Sequence, residues 1–277
     1  MSDTELEELI APVRDITAEA GKAIMEVYSN LDEVQTKSDG SPVTEADHRA
    51  HHVIVDGLRA LTPGIPILSE ESAQVPYAER AHWPQFWLVD PLDGTREFIH
   101  QRGEFTVNIA LIRSGVPVLG VVGVPAWDEF FWGFDYQAYR QRDGGEARRI
   151  RVAHFSSGAP RVVASRSHAS PETREFIDRV REARGDCELK SMGSALKICL
   201  VAEGEADVYP RLGPTSEWDI AAAHCVLRAA GGTLTTARGE PIRYNKENIL
   251  NPWFVAAGTS DFDWIAITSE LSKRSEQ

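Results

Sequence analysis

Apolar residues recur at helical spacing from the start of the chain. Leu6, Leu9, Ile10, Val13, Ile16, Ala20, Ile24 and Val27 form one stripe and predict an amphipathic first helix. A stretch over 35–43, rich in Ser, Asp, Gly and Pro, reads as a loop. Helical pattern resumes over 46–61 and stops at Thr62-Pro63-Gly64. Short apolar runs at 65–68 and 86–89 read as buried strands, each followed closely by acidic residues. Longer strand patterns cover 105–112 and 116–124 around Ser114-Gly115, and 129–134 and 138–141 continue the sheet.

The second half alternates helix and strand more regularly. A strand over 161–164 precedes a helix over 171–184, with Pro171 at its start. A strand over 187–190, a helix over 193–202 and a strand over 206–209 follow. An alanine-rich helix over 218–230 is closed by Gly231-Gly232, which suits a helix C-terminus. Strands over 233–236 and 253–257 and a helix over 261–271 complete the chain. There is no repeat, low-complexity tract or linker. The pattern predicts a mixed α/β chain in two layered halves, 1–155 and 156–277.

Composition narrows the functional classes. With 277 residues, 42% hydrophobic and 26% charged, the chain buries an adequate core without disulfides, and disorder is excluded. No apolar run reaches the roughly 18–20 residues of a membrane span. The N-terminal MSDTELEELIAPVRD lacks the basic start and apolar core of a signal peptide. Cys187, Cys199 and Cys225 are odd in number and lack metal-ligand spacing, so they read as buried, reduced thiols of a cytoplasmic protein. A net charge of −13 excludes nucleic acid as a partner, because a polyanion needs a basic footprint. A small phosphorylated substrate stays compatible, since cations can neutralise a local acidic cluster.

Such a cluster is present. Glu70 and Glu71 follow one short strand, Asp90 ends the next, and Asp93 lies three residues on, past Pro91. Strand ends are rigid and hold ligands closely. Magnesium takes six hard oxygens at about 2.1 Å, from carboxylates, carbonyls, waters and phosphate. The Leu92 carbonyl can face the same site as its acidic neighbours. Gly94-Thr95 begins a helical segment whose free N–H groups suit phosphate. Asp219, opening the alanine-rich helix, is a further candidate carboxylate, and Ala221-Ala222-Ala223 permits that helix to pack closely on another layer.

Three segments now resemble the signatures of the inositol monophosphatase superfamily. They are Glu70-Glu71, the run WLVDPLDGT from Trp87 to Thr95, and Trp218-Asp219-Ile220-Ala221-Ala222. Gly103 to Leu111 (GEFTVNIAL), Gly193 to Lys197 (GSALK) with Ala202-Glu203-Gly204, and Pro210 to Thr215 (PRLGPT) resemble one branch, the bacterial CysQ-type 3′(2′),5′-bisphosphate nucleotidases. The resemblance implies an α/β/α/β/α sandwich, with most metal ligands in 1–155 and the substrate contacts and Asp219 in 156–277. It also implies removal of the 3′-phosphate from 3′-phosphoadenosine 5′-phosphate, yielding AMP, in sulfate assimilation. Lithium sensitivity is a further implication.

By matching position, a first Mg2+ falls to Glu70, Asp90 and the Leu92 carbonyl, and a second to Asp90, Asp93 and Asp219. Thr95 and Asp47 match the family's water-activating pair, and 37–47 resembles its mobile active-site loop. Substrate contacts are implied at Glu70, Asp93, Gly94, Thr95, Arg96, His168, Ser194, Lys197, Arg211 and Asp219. Arg96 stands where lysine is common in the branch. The resemblance leaves open a monomer or a homodimer, and a fully cytoplasmic enzyme or one peripheral at the inner face of the membrane. The same metal chemistry would serve inositol phosphates or fructose 1,6-bisphosphate. A non-catalytic nucleotide- or metal-binding protein is the alternative from another class.

Overall fold

The computed structural model of the chain describes residues 3–28, 34–36, 42–72, 75–164 and 170–275. Helices α1 (Asp3–Tyr28) and α2 (Glu45–Leu61) flank a hairpin of β1 (Val34–Thr36) and β2 (Pro42–Thr44). Next come β3 (Ile67–Ser69), α3 (Tyr77–Arg80), β4 (Gln85–Asp93) and α4 (Thr95–Ile99). The meander β5 (Thr106–Arg113), β6 (Val116–Val124), β7 (Glu129–Phe134), β8 (Gln137–Arg142) and β9 (Arg148–Ile150) completes the first half. Then follow β10 (His154–Phe155), β11 (Arg161–Ala164), α5 (Pro171–Arg184), β12 (Glu188–Ser191) and α6 (Leu196–Ala202). The chain continues through β13 (Val208–Arg211), α7 (Glu217–Ala229), β14 (Thr233–Thr236), β15 (Phe254–Ala257), β16 (Thr259–Ser260) and α8 (Trp264–Ser275).

Strands β3 to β9 form a seven-stranded sheet in sequence order, antiparallel except for the parallel β3–β4 pair. A five-stranded sheet has the order β12-β11-β13-β15-β14, and β10 pairs with β16. Alternation along the strands assigns the layers. In β4, Trp87 and Val89 face Val13, Ile24, Ile54 and Leu58 of α1 and α2. Phe86 and Leu88 face the opposite core, with Ile198 of α6 and Ala222 and Val226 of α7. Burial on both faces explains why β4 reads as an unbroken apolar run.

The second sheet repeats the arrangement. Tyr209, Phe254 and Ala256 join the α6–α7 core, whereas Val208, Val255 and Ala257 pack with Phe176 and Val180 of α5 and Trp264 of α8. The result is the expected five-layer α/β/α/β/α sandwich. Each fully buried large side chain contributes roughly 1.5–3 kcal/mol to holding it.

Central helix α7 lies unusually close to the first sheet. A Cβ on Gly120 would come 2.4 Å from the Ala222 carbonyl oxygen, and one on Gly133 would come 2.8 Å from Val226 Cα. Glycine on the strands and alanine on the helix permit this approach, as the Ala221-Ala222-Ala223 run suggested. It also carries the first turn of α7, with Asp219, toward the end of β4. Cys187, Cys199 and Cys225 are buried free thiols. Among the described residues no helix is long and apolar enough to cross a membrane.

Several element boundaries shift. The last helix is Trp264–Ser275 rather than 261–271, and the strand expected over 206–209 is Val208–Arg211. Part of the 35–43 loop belongs to the β1–β2 hairpin. Strand β4 does not stop at Val89 but runs through Pro91 to Asp93. Helix α6 begins at Leu196 rather than near 193, because Ser194 takes a positive φ of 45° that no α-helix accommodates.

Candidate active site

The site is built on an irregularity in β4. Asp90 pairs with Asn108 of β5 and Asp93 with Thr106, so Pro91 and Leu92 together oppose Val107 alone. This bulge accommodates a proline inside a strand and withdraws the Leu92 backbone from the regular ladder. The Leu92 side chain stays buried, and its N–H donates to Asp90 Oδ1 at 3.1 Å. At the end of neighbouring β3, the Glu70 N–H donates to the Val89 carbonyl at 3.1 Å. Asp219 arrives from α7, its Oδ2 accepting from the Ser216 N–H at 2.9 Å.

Glu70, Asp90 and Asp219 converge, each offering an oxygen within 4.8 Å of the others. Burial and repulsion from neighbouring carboxylates oppose ionisation of the two aspartates. Asp90 is held well above the usual carboxylate range by burial, then by Glu70, Asp93, Asp219 and Asp47. Asp219 is pushed up to about 8 by burial and Asp93, against the Ser216 hydrogen bond. Asp93 lies beside this triad rather than within it. Burial raises it to about 6, offset by the charge of Lys197 and a hydrogen bond from the Ala195 amide.

This donor set fits a hard divalent cation, which would relieve the repulsion and take carboxylate oxygens. A second observation agrees. Across the ladder from Asp90 and Asp93, Asn108 and Thr106 are buried, and Asn108 Oδ1 and Nδ2 and Thr106 Oγ1 have no protein hydrogen-bond partner among the described residues. Buried polar atoms cost about 1–3 kcal/mol when unpaired. The water shell that magnesium usually keeps would supply partners.

Next to the triad opens a cavity of about 480 Å³, whose walls include Asp93, Gly94, Arg96, Ser194, Lys197, Tyr209, Arg211 and Asp219. The Lys197 side chain is buried, and its Nζ donates to the Ser194 carbonyl at 2.7 Å and lies 5.6 Å from the Tyr209 ring centroid. Desolvation lowers Lys197 to about 8, partly offset by Asp93. Arg211 donates to the Pro214 carbonyl at 2.9 Å. Ser194 Oγ is enclosed and has no partner among the described residues. Gly94 adopts φ 92°, and a Cβ there would meet the Glu104 carbonyl oxygen at 3.2 Å and Ser194 Cβ at 3.3 Å.

Thr95 is half-buried at the start of α4, and Asp47 is buried in the first turn of α2, close enough for its charge to act on Asp90. Arg96 is exposed at the cavity rim. His168 lies outside the described residues. Asn108 and Tyr209 are site residues with no role assigned from sequence: Asn108 stands in the GEFTVNIAL run as a lone amide among apolar neighbours, and Tyr209 carries no signal.

The sequence profile of the inositol monophosphatase family matches residues 5–263. The chain belongs to that family. Within it, the chain is 46% identical over 249 residues to the 3′(2′),5′-bisphosphate nucleotidase CysQ of Escherichia coli strain K12, covering 89% of this chain and 98% of the relative. The nucleotidase of the same name from Haemophilus influenzae is 35% identical over 265 residues, covering 94% and 97%. The crystal structure of CysQ from Bacteroides thetaiotaomicron superposes with a TM-score of 0.79 at 43% identity, covering 90% and 96%. An inositol monophosphatase from Anabaena gives 0.73 at 25% identity, covering 97% of each chain. Both solved structures share the layered architecture, and the nucleotidases share more of the sequence.

Proposed function

We propose that this member of the family is a magnesium-dependent 3′(2′),5′-bisphosphate nucleotidase, hydrolysing the 3′-phosphate of 3′-phosphoadenosine 5′-phosphate to AMP and phosphate. The observation that carries the reading is an acidic triad and two cations, Lys197 and Arg211, beside one cavity. The triad alone suits any phosphate monoester. A buried ammonium with a guanidinium on the same wall suits a second phosphate. The names of the relatives at 35–46% identity support the same substrate class.

In this reading 1–155 supplies Glu70, Asp90, the Leu92 carbonyl and Asp93, and 156–277 supplies Asp219 and the second-phosphate groups. Glu70, Asp90 and the Leu92 carbonyl would hold one magnesium ion, and Asp90, Asp93 and Asp219 another. When bound, the ions lower the pKa of water and offset charge on the departing oxygen. The remaining work falls to the chain. Thr95 and Asp47 form the pair that orients the attacking water in line with phosphorus. Gly94 presents no side chain and lets the phosphate approach. Ser194, Lys197 and Arg211 bind the 5′-phosphate, Arg96 adds charge at the rim, and His168 contacts the base. Water forms the new P–O bond as the bond from phosphorus to the ribose 3′-oxygen breaks; one of the water's protons is balanced by the proton taken up by that oxygen, the other stays on the released phosphate, and no covalent enzyme intermediate forms.

A comparison of magnesium-dependent phosphate release from 3′-phosphoadenosine 5′-phosphate, inositol 1-phosphate and fructose 1,6-bisphosphate tests the reading. The bisphosphate nucleotide is expected to have the highest kcat/KM. A preference for inositol 1-phosphate assigns the chain to the monophosphatase activity, and no turnover of any substrate makes it a binding protein.

A further inference from the structure

Behind the cavity, the connection from β4 to β5 touches the turn before α6. A Cβ on Gly193 would fall 2.6 Å from the Glu104 carbonyl oxygen and 2.8 Å from Glu97 Cγ. Gly94 closes on the same point, between the Glu104 carbonyl and Ser194 Cβ. At this junction Glu104 is buried, with 8% of its surface exposed, and its Oε2 accepts from the Gly193 N–H at 2.8 Å. A carboxylate is an uncommon thing to bury, and a charge-assisted bond to a backbone amide is a strong tether.

The tethered turn feeds three groups into the site. Ser194 sits at φ 45°, a left-handed conformation that is strained for a non-glycine residue and persists only when its surroundings impose it. Its carbonyl takes the Lys197 Nζ, and its enclosed hydroxyl, on the cavity wall, has no partner among the described residues. The next amide, Ala195, donates to Asp93. Losing the hold on Gly193 would let this strained segment relax toward ordinary backbone angles, moving all three groups together.

We infer that Glu104 is a positioning residue: by accepting from the Gly193 amide it fixes the Gly193–Ala195 turn in the conformation that presents Ser194 and Lys197 to the second phosphate of the substrate. This rests on the reading of the cavity as a bisphosphate-nucleotide site. Glu104 stands behind the cavity wall and does not line it. Its carboxylate is also one of those, with Asp93 and Glu97, that favour the charged form of Lys197.

The test compares KM for 3′-phosphoadenosine 5′-phosphate with KM for adenosine 3′-phosphate, which lacks only the second phosphate. Glu104→Ala leaves the Gly193 amide buried without its acceptor, and is expected to raise the ratio of the first KM to the second by about tenfold or more. Glu104→Gln keeps an acceptor oxygen at the same reach and is expected to restore most of that loss. Glu104→Asp keeps the charge but withdraws the oxygen by one methylene, so it should shift the ratio in the same direction as alanine. It also serves if the alanine variant fails to fold. A ratio unchanged in folded Glu104→Ala or Glu104→Asp, or equal KM increases for both substrates, overturns the positioning role. A parallel Lys197→Met variant separates the two levels. If wild type does not discriminate the substrates and Lys197→Met leaves both KM values unchanged, the bisphosphate reading itself fails.

Discussion

The carboxylate of Asp219, in the first turn of α7, lies within 4.8 Å of that of Asp90 at the bulge of β4. One belongs to the central helix layer and the other to the first sheet. Repulsion between them is therefore a cost of docking α7 on that sheet. Asp219→Asn keeps an oxygen for the Ser216 amide and removes a carboxyl whose ionisation burial and its acidic neighbours oppose. Without divalent ions, the variant is expected to melt a few degrees above wild type, about 1 kcal/mol for a chain of this size. With magnesium the order should reverse, because ligand binding stabilises only the intact site. Turnover should fall by at least about a hundredfold, on the order of 3 kcal/mol of barrier. Thermal unfolding with and without magnesium checks this, and an unchanged magnesium response in the variant would contradict it.

Asn108 makes a related prediction from the neighbouring strand. Its amide is buried across from Asp90 with no protein partner among the described residues. Asn108→Val replaces it with a β-branched apolar side chain suited to a strand, so stability without metal should rise by about 1 kcal/mol. The magnesium concentration for half-maximal activity should rise about 10- to 100-fold, as expected for a group that supports the ion's surroundings. Denaturant unfolding paired with a magnesium titration measures both. Lower stability with unchanged magnesium dependence would show that the amide is structural.

Lys197 carries the claim about substrate. Lys197→Met preserves the buried stem and deletes the charge beside Ser194 and Tyr209. KM for 3′-phosphoadenosine 5′-phosphate should increase on the order of 10- to 100-fold. KM for adenosine 3′-phosphate should change far less. Steady-state kinetics on the two nucleotides reads the difference directly.

Stability should fall on the acid side through His224. Its ring is buried against the Tyr244 hydroxyl at 2.9 Å, and burial lowers its pKa to about 3 from the ordinary 6.5. The folded ring stays neutral while the unfolded ring binds a proton below 6.5, so this contribution is complete above that pH. It is lost as pH falls toward 3, at up to about 1.4 kcal/mol per unit. His224→Gln retains a partner for Tyr244 and removes the titration. Urea unfolding at pH 7, 6, 5 and 4 should give a shallower decline for the variant. Parallel profiles would contradict the assignment.

Much of this architecture is legible in the chain. The helical stripes and apolar strand runs specify the layers, and the acidic positions stand out because each follows such a run. The bulge is less accessible, since Pro91 reads as a strand terminator until pairing with β5 absorbs it. The late start of α6 depends on the backbone of Ser194, held by contacts from the β4–β5 connection. Asn108 and Glu104 stand in the GEFTVNIAL run, yet their roles emerge only through register with Asp90 and the hydrogen bond from Gly193. Local pattern encodes which residues are acidic or apolar. Tertiary pairing decides which of them support the site.

Metal-dependent cleavage at the 3′-phosphate of a bisphosphate nucleotide is tested by a magnesium titration with 3′-phosphoadenosine 5′-phosphate, following phosphate release and identifying the nucleotide product. No turnover is expected without a divalent ion, with saturating activity in magnesium and AMP as the nucleotide formed. Turnover without divalent ions, or adenosine 3′-phosphate as the product, would contradict it.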